Sequence, residues 1–156
     1  MKEDPSDSVI TTNREARRDY HILETLETGI ILVGCEVKSL RERKASLSGS
    51  FARVDGAGVV LYNLYIAPYE QGNRENPKPT RERKLLLHRS QIEKLKIKTR
   101  EKGFALVPLR LYFKHGLAKV ELALAKGKNL YDKRMEIKKQ TTLREIDRAI
   151  KNRNRK

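Results

Sequence analysis

The stretch from Leu124 to Arg134 separates two kinds of sequence. Before it, short apolar runs alternate with glycine and proline, the pattern of strands joined by turns. After it there is no glycine, no proline and no convincing strand, but a dense load of Lys and Arg. A folded body followed by a basic tail is the organisation this imposes. Residues 126–156 hold twelve Lys or Arg against four Asp or Glu, a net +8 of the chain's +15. The remaining +7 is spread over a body four times longer. Such an excess calls for a large polyanionic partner, and RNA is the partner expected.

Taken in order, residues 1–12 mix Asp, Ser and Pro with few apolar residues, and disorder is expected. The body spans 13–127 and the tail 128–156. Asn13 to Asp19 is a charged lead-in, a helical turn or an arm. Tyr20, Ile22 and Leu26 have strand spacing, Gly29 breaks the strand, and Ile30–Val33 is a buried run stopped by Gly34. Val37 and Leu40 mark a short basic helix. Residues 50–54 and 59–66 form a hairpin over Asp55-Gly56-Ala57-Gly58. Residues 70–83 are a loop. A Ser90/Glu93 capping box opens a helix that Gly103 ends. Residues 105–113 and 119–125 pair through His115-Gly116, with Pro108 at an edge or bulge. Six or seven strands and two helices result. Their hairpin spacing suggests a mainly β body with flanking helices, a small closed antiparallel barrel of oligonucleotide-binding type. In the tail Leu143, Ile146 and Ile150 make a narrow apolar stripe, and Thr142/Glu145 another capping box. A helix with so little to bury is marginal in water. The tail is expected to be disordered alone and helical on its partner.

Nothing here organises a reaction. His21, His88 and His115 lie far apart and outside metal-ligand spacing. The single cysteine, Cys35, excludes an internal disulfide and a cysteine zinc site; at a helix start it reads as packing. Gly56 and Gly58 sit in a hairpin, not between strand and helix, so they make no phosphate loop. No cofactor, metal or catalytic residue is expected. No apolar run reaches the ~18–20 residues that span a bilayer, and the first residues do not read as a signal peptide. A cytoplasmic, monomeric protein is the expectation. Basic residues are expected to meet at one rim: Arg14, Arg17 and Arg18; Arg81, Arg83 and Lys84; Lys126 and Lys128. Tyr20 and Tyr131 stand beside them as rings for bases to stack on, with core packing the other role for Tyr20.

Several stretches together resemble the small protein B family, the SsrA-binding proteins of bacterial trans-translation. They are Asn13–Arg17, Leu23–Gly29, Gly34–Arg41, Asn63–Tyr69, Arg83–Leu87, and Ala125–Lys128 with Asp132-Lys133-Arg134. They occur in family order from about residue 13 onward. The resemblance implies an oligonucleotide-binding-type barrel that binds the tRNA-like domain of transfer-messenger RNA (tmRNA) at its elbow. It places that contact on Asn13, Glu27, Leu86 and Gly127. Asn13 would donate and accept at a base edge. Glu27 would accept from exocyclic amines or fix a neighbouring Arg. Leu86 would pack under a base or belong to the core. Gly127 would let the chain turn close to RNA or to the barrel. The family's tail enters the decoding site and the empty messenger channel of a stalled ribosome. Here Tyr131, Asp132, Lys133 and Arg134 match its start. Lys138, Lys139, Arg144, Arg148, Lys151 and Arg153 would neutralise ribosomal RNA phosphates, and Ile150 matches an apolar contact. Two departures stand out: Thr142 where many members carry a tryptophan, in a chain with no Trp, and the run Leu95–Thr99. The competing readings are a general single-strand-binding or ribosomal protein of the same fold and, weakest, a nuclease.

Overall fold

The computed structural model describes residues 8–154. Nine strands and four α-helices are found among them. The strands are β1 Ser8–Thr12, β2 Tyr20–Ile30, β3 Ala45–Ser46, β4 Phe51–Asp55, β5 Gly58–Tyr62, β6 Tyr65–Ile66, β7 Arg83–Leu86, β8 Phe104–Lys114 and β9 Leu117–Gly127. The helices are α1 Arg14–Asp19, α2 Gly34–Arg41, α3 Arg89–Thr99 and α4 Leu130–Arg153, with a short 3-10 turn at Glu70–Glu75. The protein is mainly β with helices around the sheet.

Strand pairing runs β8–β4–β5–β7–β2–β9 and returns to β8, so six strands close into a ring of antiparallel pairs. The three longest strands carry most of it. β2 and β8 each bend at a β-bulge, between Ile22 and Glu24 and between Pro108 and Arg110. A bulge bends and twists a strand, which closure requires. Proline has no N–H to give, so Pro108 suits such a break in the ladder. The thinnest seam is β4 against β8, joined by the single register pair Ala52–Leu106.

Alternation sets the inside. Val59, Leu61, Leu85, Leu106, Leu111, Val120, Leu122 and Leu124 fill the ring, with Leu40 of α2 and Leu95 of α3. A second cluster lies outside it: Ala16 of α1 packs on Val107, Leu109, Ala123 and Ala125, flanked by Tyr20 and Ile22. The small alanines let α1 lie flat on β8 and β9.

Several expectations are corrected. Residues 8–12 form β1, which pairs with β8 from Ser8–Phe113 to Thr12–Arg110; only 1–7 of the expected disordered segment lie outside the described residues. Gly29 does not break β2, which continues to Ile30. The run 31–33 is not a buried strand; Ile31 and Val33 are exposed. The helix after β7 starts from His88, whose N–H is held by Gln91, and not from Ser90. The helix expected of the tail on its partner spans 24 residues in this structure. Its cap is Asn129, whose side chain accepts from the Asp132 N–H at 2.8 Å. Thr142 starts nothing: its hydroxyl donates to the Lys138 carbonyl one turn back.

Candidate nucleic-acid interface

One charged surface gathers where α1, the end of β9 and the base of α4 meet. Tyr20 pairs with Gly127 across β2 and β9. The Lys128 N–H donates to the Asp19 carbonyl at 2.9 Å and its ammonium to the Arg17 carbonyl at 3.3 Å. Arg14, Arg17 and Lys126 are exposed around this junction. His21 Nε2 stands 3.7 Å from an Asp132 carboxylate oxygen, beside a groove of about 560 Å³ under α4. Gly127 has ordinary backbone, its N–H donates to the Gly103 carbonyl, and a Cβ there would meet open space.

Asn13 sits inside this region but faces inward. It is buried and caps α1, its side-chain oxygen accepting from the Ala16 N–H at 3.2 Å. Its amide donates to the Pro108 carbonyl at 3.1 Å. Both functions expected at a base edge are thus spent on holding α1 against the bulge of β8.

A second surface lies at the far end of β2. From Tyr20 to Gly29 the strand covers roughly 30 Å at about 3.3 Å per residue. The basic clusters therefore do not share one rim. Here the Glu27 carboxylate accepts from the Tyr112 hydroxyl at 2.6 Å and from the Lys114 ammonium at 3.1 Å. The Tyr112 bond, opposed by some burial and helped by Lys114, holds the Glu27 carboxyl below the usual range. Burial first, then Glu27, pushes the Tyr112 hydroxyl far up. Gly29 follows on the same side of the strand and pairs with Leu86. Leu86 is 57% exposed, so it is not core. It lies against Gly29 so closely that a Cβ there would stand 3.2 Å from two Leu86 carbons. Lys84 is exposed on the same face of β7. Gly29, Tyr112 and Lys114 were not among the sequence candidates; only the strand register brings them to Glu27 and Leu86.

Arg83 is corrected outright. In β7 it alternates inward, and its side chain is completely buried against Glu36 at the start of α2. Its Nε donates to Glu36 at 2.8 Å, and its Nη atoms donate to the carbonyls of Leu64, Arg81 and Pro79. Arg81 pairs with the same carboxylate at 2.6 Å. Burial disfavours the Glu36 charge, but hydrogen bonds from Arg81, the Val33 N–H and Arg83 outweigh it and keep the carboxyl below its ordinary value. Arg83 thus ties α2 to the loop before β7 and is closed to any ligand.

The tail positions all lie on α4, none of whose residues is buried. Tyr131 is 70% exposed, and Ile150 and Leu143 are open with Ile146. Arg134, Lys138, Lys139, Arg144 and Arg148 are exposed, while Asp132 and Lys133 are half-buried at the helix base. No described helix is long and apolar enough to cross a membrane. Among the described residues no cluster of three or more His, Cys, Asp or Glu is placed to hold a metal.

A closed ring of antiparallel strands with two cationic surfaces and an unburied basic helix defines a small nucleic-acid-binding protein. The comparisons narrow this class. The sequence model for the family described as SmpB protein matches residues 10–152. The SsrA-binding protein of Pelotomaculum thermopropionicum is 60% identical over 147 residues, covering 94% of this chain and 96% of that one. That of Halothermothrix orenii is 58% identical over 147 residues, covering 94% and 95%. A solved chain described as "tmRNA-SmpB: a journey to the center of the bacterial ribosome" superposes with a TM-score of 0.66 at 50% identity. That match covers 81% of this chain and 93% of the solved one. The chain belongs to the SmpB family.

Proposed function

We propose that this chain is a non-enzymatic RNA-binding adaptor that holds the tRNA-like domain of tmRNA and carries it to stalled ribosomes for trans-translation. The observation that carries this reading is identity of 60% with an SsrA-binding protein across 94% of the chain. The body is an oligonucleotide-binding-type barrel, a reading the closed ring of six pairings supports. It stands in for the anticodon arm that a tRNA-like RNA lacks, acting in the cytoplasm as a monomer without cofactor.

Two surfaces divide the RNA work. The Glu27–Tyr112–Lys114 group with Leu86 and Lys84 grips the tRNA-like elbow. A carboxylate held ionised accepts from exocyclic amines, an exposed leucine packs on an unstacked base, and lysines neutralise phosphates. Arg14, Arg17, Tyr20, Lys126 and Lys128 extend the cationic surface at the other end of β2, with Gly127 leading into the tail.

The tail tests for messenger. With no residue buried on the body, α4 has little to keep it helical in the free chain. It is disordered there and takes its helical form inside the decoding centre and the vacant messenger channel. Tyr131 stacks there on a decoding-centre base. A channel filled with polyanionic messenger has no volume left for a tail of net +7, so occupancy by the tail reports an empty channel.

The test compares binding to the tRNA-like domain with binding to a single strand of equal length at one stated salt. Strong preference for the folded RNA is expected. Equal affinity would instead identify a general single-strand binder. Proton chemical shifts of residues beyond Asn129, with and without ribosomes, test the order of the tail.

A further inference from the structure

The weakest join in the ring opens onto a cleft that borders the first surface, sharing Tyr20 and Lys126 with it. We infer that the seam between β4 and β8 is a further RNA site, one that takes an unstacked base of a single-stranded segment between aromatic rings. The cleft holds about 510 Å³, within the range of small-ligand pockets. Tyr20, Phe51 and Phe104 line it, and all three are half-buried.

Two features prepare those rings for nucleic acid. Phe51 is already stacked on Tyr62, with centroids 5.3 Å apart and planes 14° from parallel, so its orientation is fixed. Each of two rings also carries a cation: the Arg53 guanidinium lies 5.1 Å from the Phe51 centroid, the Lys126 ammonium 5.8 Å from that of Phe104. An aromatic wall with adjoining cations is the general means of holding single strands, the rings taking base faces and the cations phosphates. No Asp or Glu lines the cleft. A polyanion meets no repulsion there, whereas an acidic lining would have pointed to a cationic peptide.

The backbone adds a third feature. β4 and β8 share only the Ala52–Leu106 pair. β1 covers the outer edge of β8 from Arg110 to Phe113, leaving the first residues of β8 without that neighbour. A strand edge so lightly paired offers N–H and C=O groups to a base edge.

The inference rests on the chain being an RNA-binding protein, but not on how the tRNA-like domain is gripped. The test uses the full chain and a single-stranded RNA of about eight nucleotides carrying 2-aminopurine, a length within the reach of one such fold. Stacking in the cleft quenches the probe. Phe104→Ala should weaken binding about 5- to 100-fold and abolish the quench, while Phe104→Tyr keeps both. Phe104 also packs on the core, so Arg53→Gln provides the second arm. Arg53 is exposed, and its loss should reduce the salt dependence of oligonucleotide binding by about 0.7 in slope. An unquenched probe on the wild-type chain, or unchanged binding in both Phe104→Ala and Arg53→Gln, overturns the inference. A parallel gel shift with the tRNA-like domain separates that outcome from failure of the adaptor reading, which would instead show as loss of binding by the wild-type chain.

Discussion

Replacing Glu36 by Ala leaves the buried cation of Arg83 without a counter-charge. The Arg83 side chain is shut away from water, and three carbonyls remain to it, but no anion. Breaking a buried pair in this way costs about 3–5 kcal/mol. Arg81 also loses its partner, yet it is 27% exposed and can turn to solvent. For a domain of this size each kcal/mol moves the melting midpoint by about 2–4 °C. The midpoint of Glu36→Ala should therefore fall by roughly 6–20 °C in a circular dichroism melt. Adding Arg83→Met removes the lone charge, and the double variant should recover much of the loss. A fall of less than about 2 °C, or no recovery, refutes the idea that Glu36 holds Arg83 in place. The pH profile follows the same logic. The Glu36 carboxyl titrates lower when folded. Its stabilisation is complete above the unfolded value of about 4.3 and is lost as pH falls through the lower folded one. The same pair discriminates structure from interface. Arg83→Met should leave the salt slope of RNA binding unchanged, whereas Lys84→Ala should lower it by about 1.

Other expected outcomes concern the two surfaces. Asn13→Ala should cost about 1–2 kcal/mol in urea unfolding through the lost cap. Asn13→Ser, which keeps a capping oxygen, should recover part of both stability and RNA affinity; equal RNA loss in the two would argue for direct contact. Gly29→Val should weaken binding to the tRNA-like domain in the same direction as Leu86→Ala, because its side chain must displace Leu86. Unchanged affinity in Gly29→Val would remove Leu86 from the contact. Glu27→Ala should weaken the structured RNA while leaving single-strand binding and the melting midpoint nearly unchanged, read by gel shift and melt together. Because Glu27 is held ionised, its contribution should persist down to mildly acidic pH and fade only below the ordinary carboxylate range.

Local chemistry was legible in the sequence; partners distant along the chain were not. His115 and Gly116 turn with φ of 50° and 75°, as expected for a hairpin tip, and Pro108 marks a bulge. Both follow from what one or two residues can do with their own backbone. β1 was missed because its stability comes from Phe113 and Arg110, about a hundred positions away. Gly29 looks like a breaker until Leu86 is laid across it. Arg83 reads as one more cation in a basic loop until Glu36, 47 residues upstream, closes on it. The candidate surfaces divide in the same way. The exposed arginines and lysines of α1 and β9 stand out by charge in the sequence, while the individual cations of α4 enter with the family resemblance. The Glu27 group needed the register of three strands to bring Tyr112 and Lys114 to it.

The division between a gripping body and a probing tail is tested most directly by a chain ending at Lys128, assayed in parallel for binding to the tRNA-like domain and for tagging on stalled ribosomes. The account predicts gel-shift affinity close to that of the full chain and no tagging. Tagging by the shortened chain, or loss of its RNA binding, would contradict it.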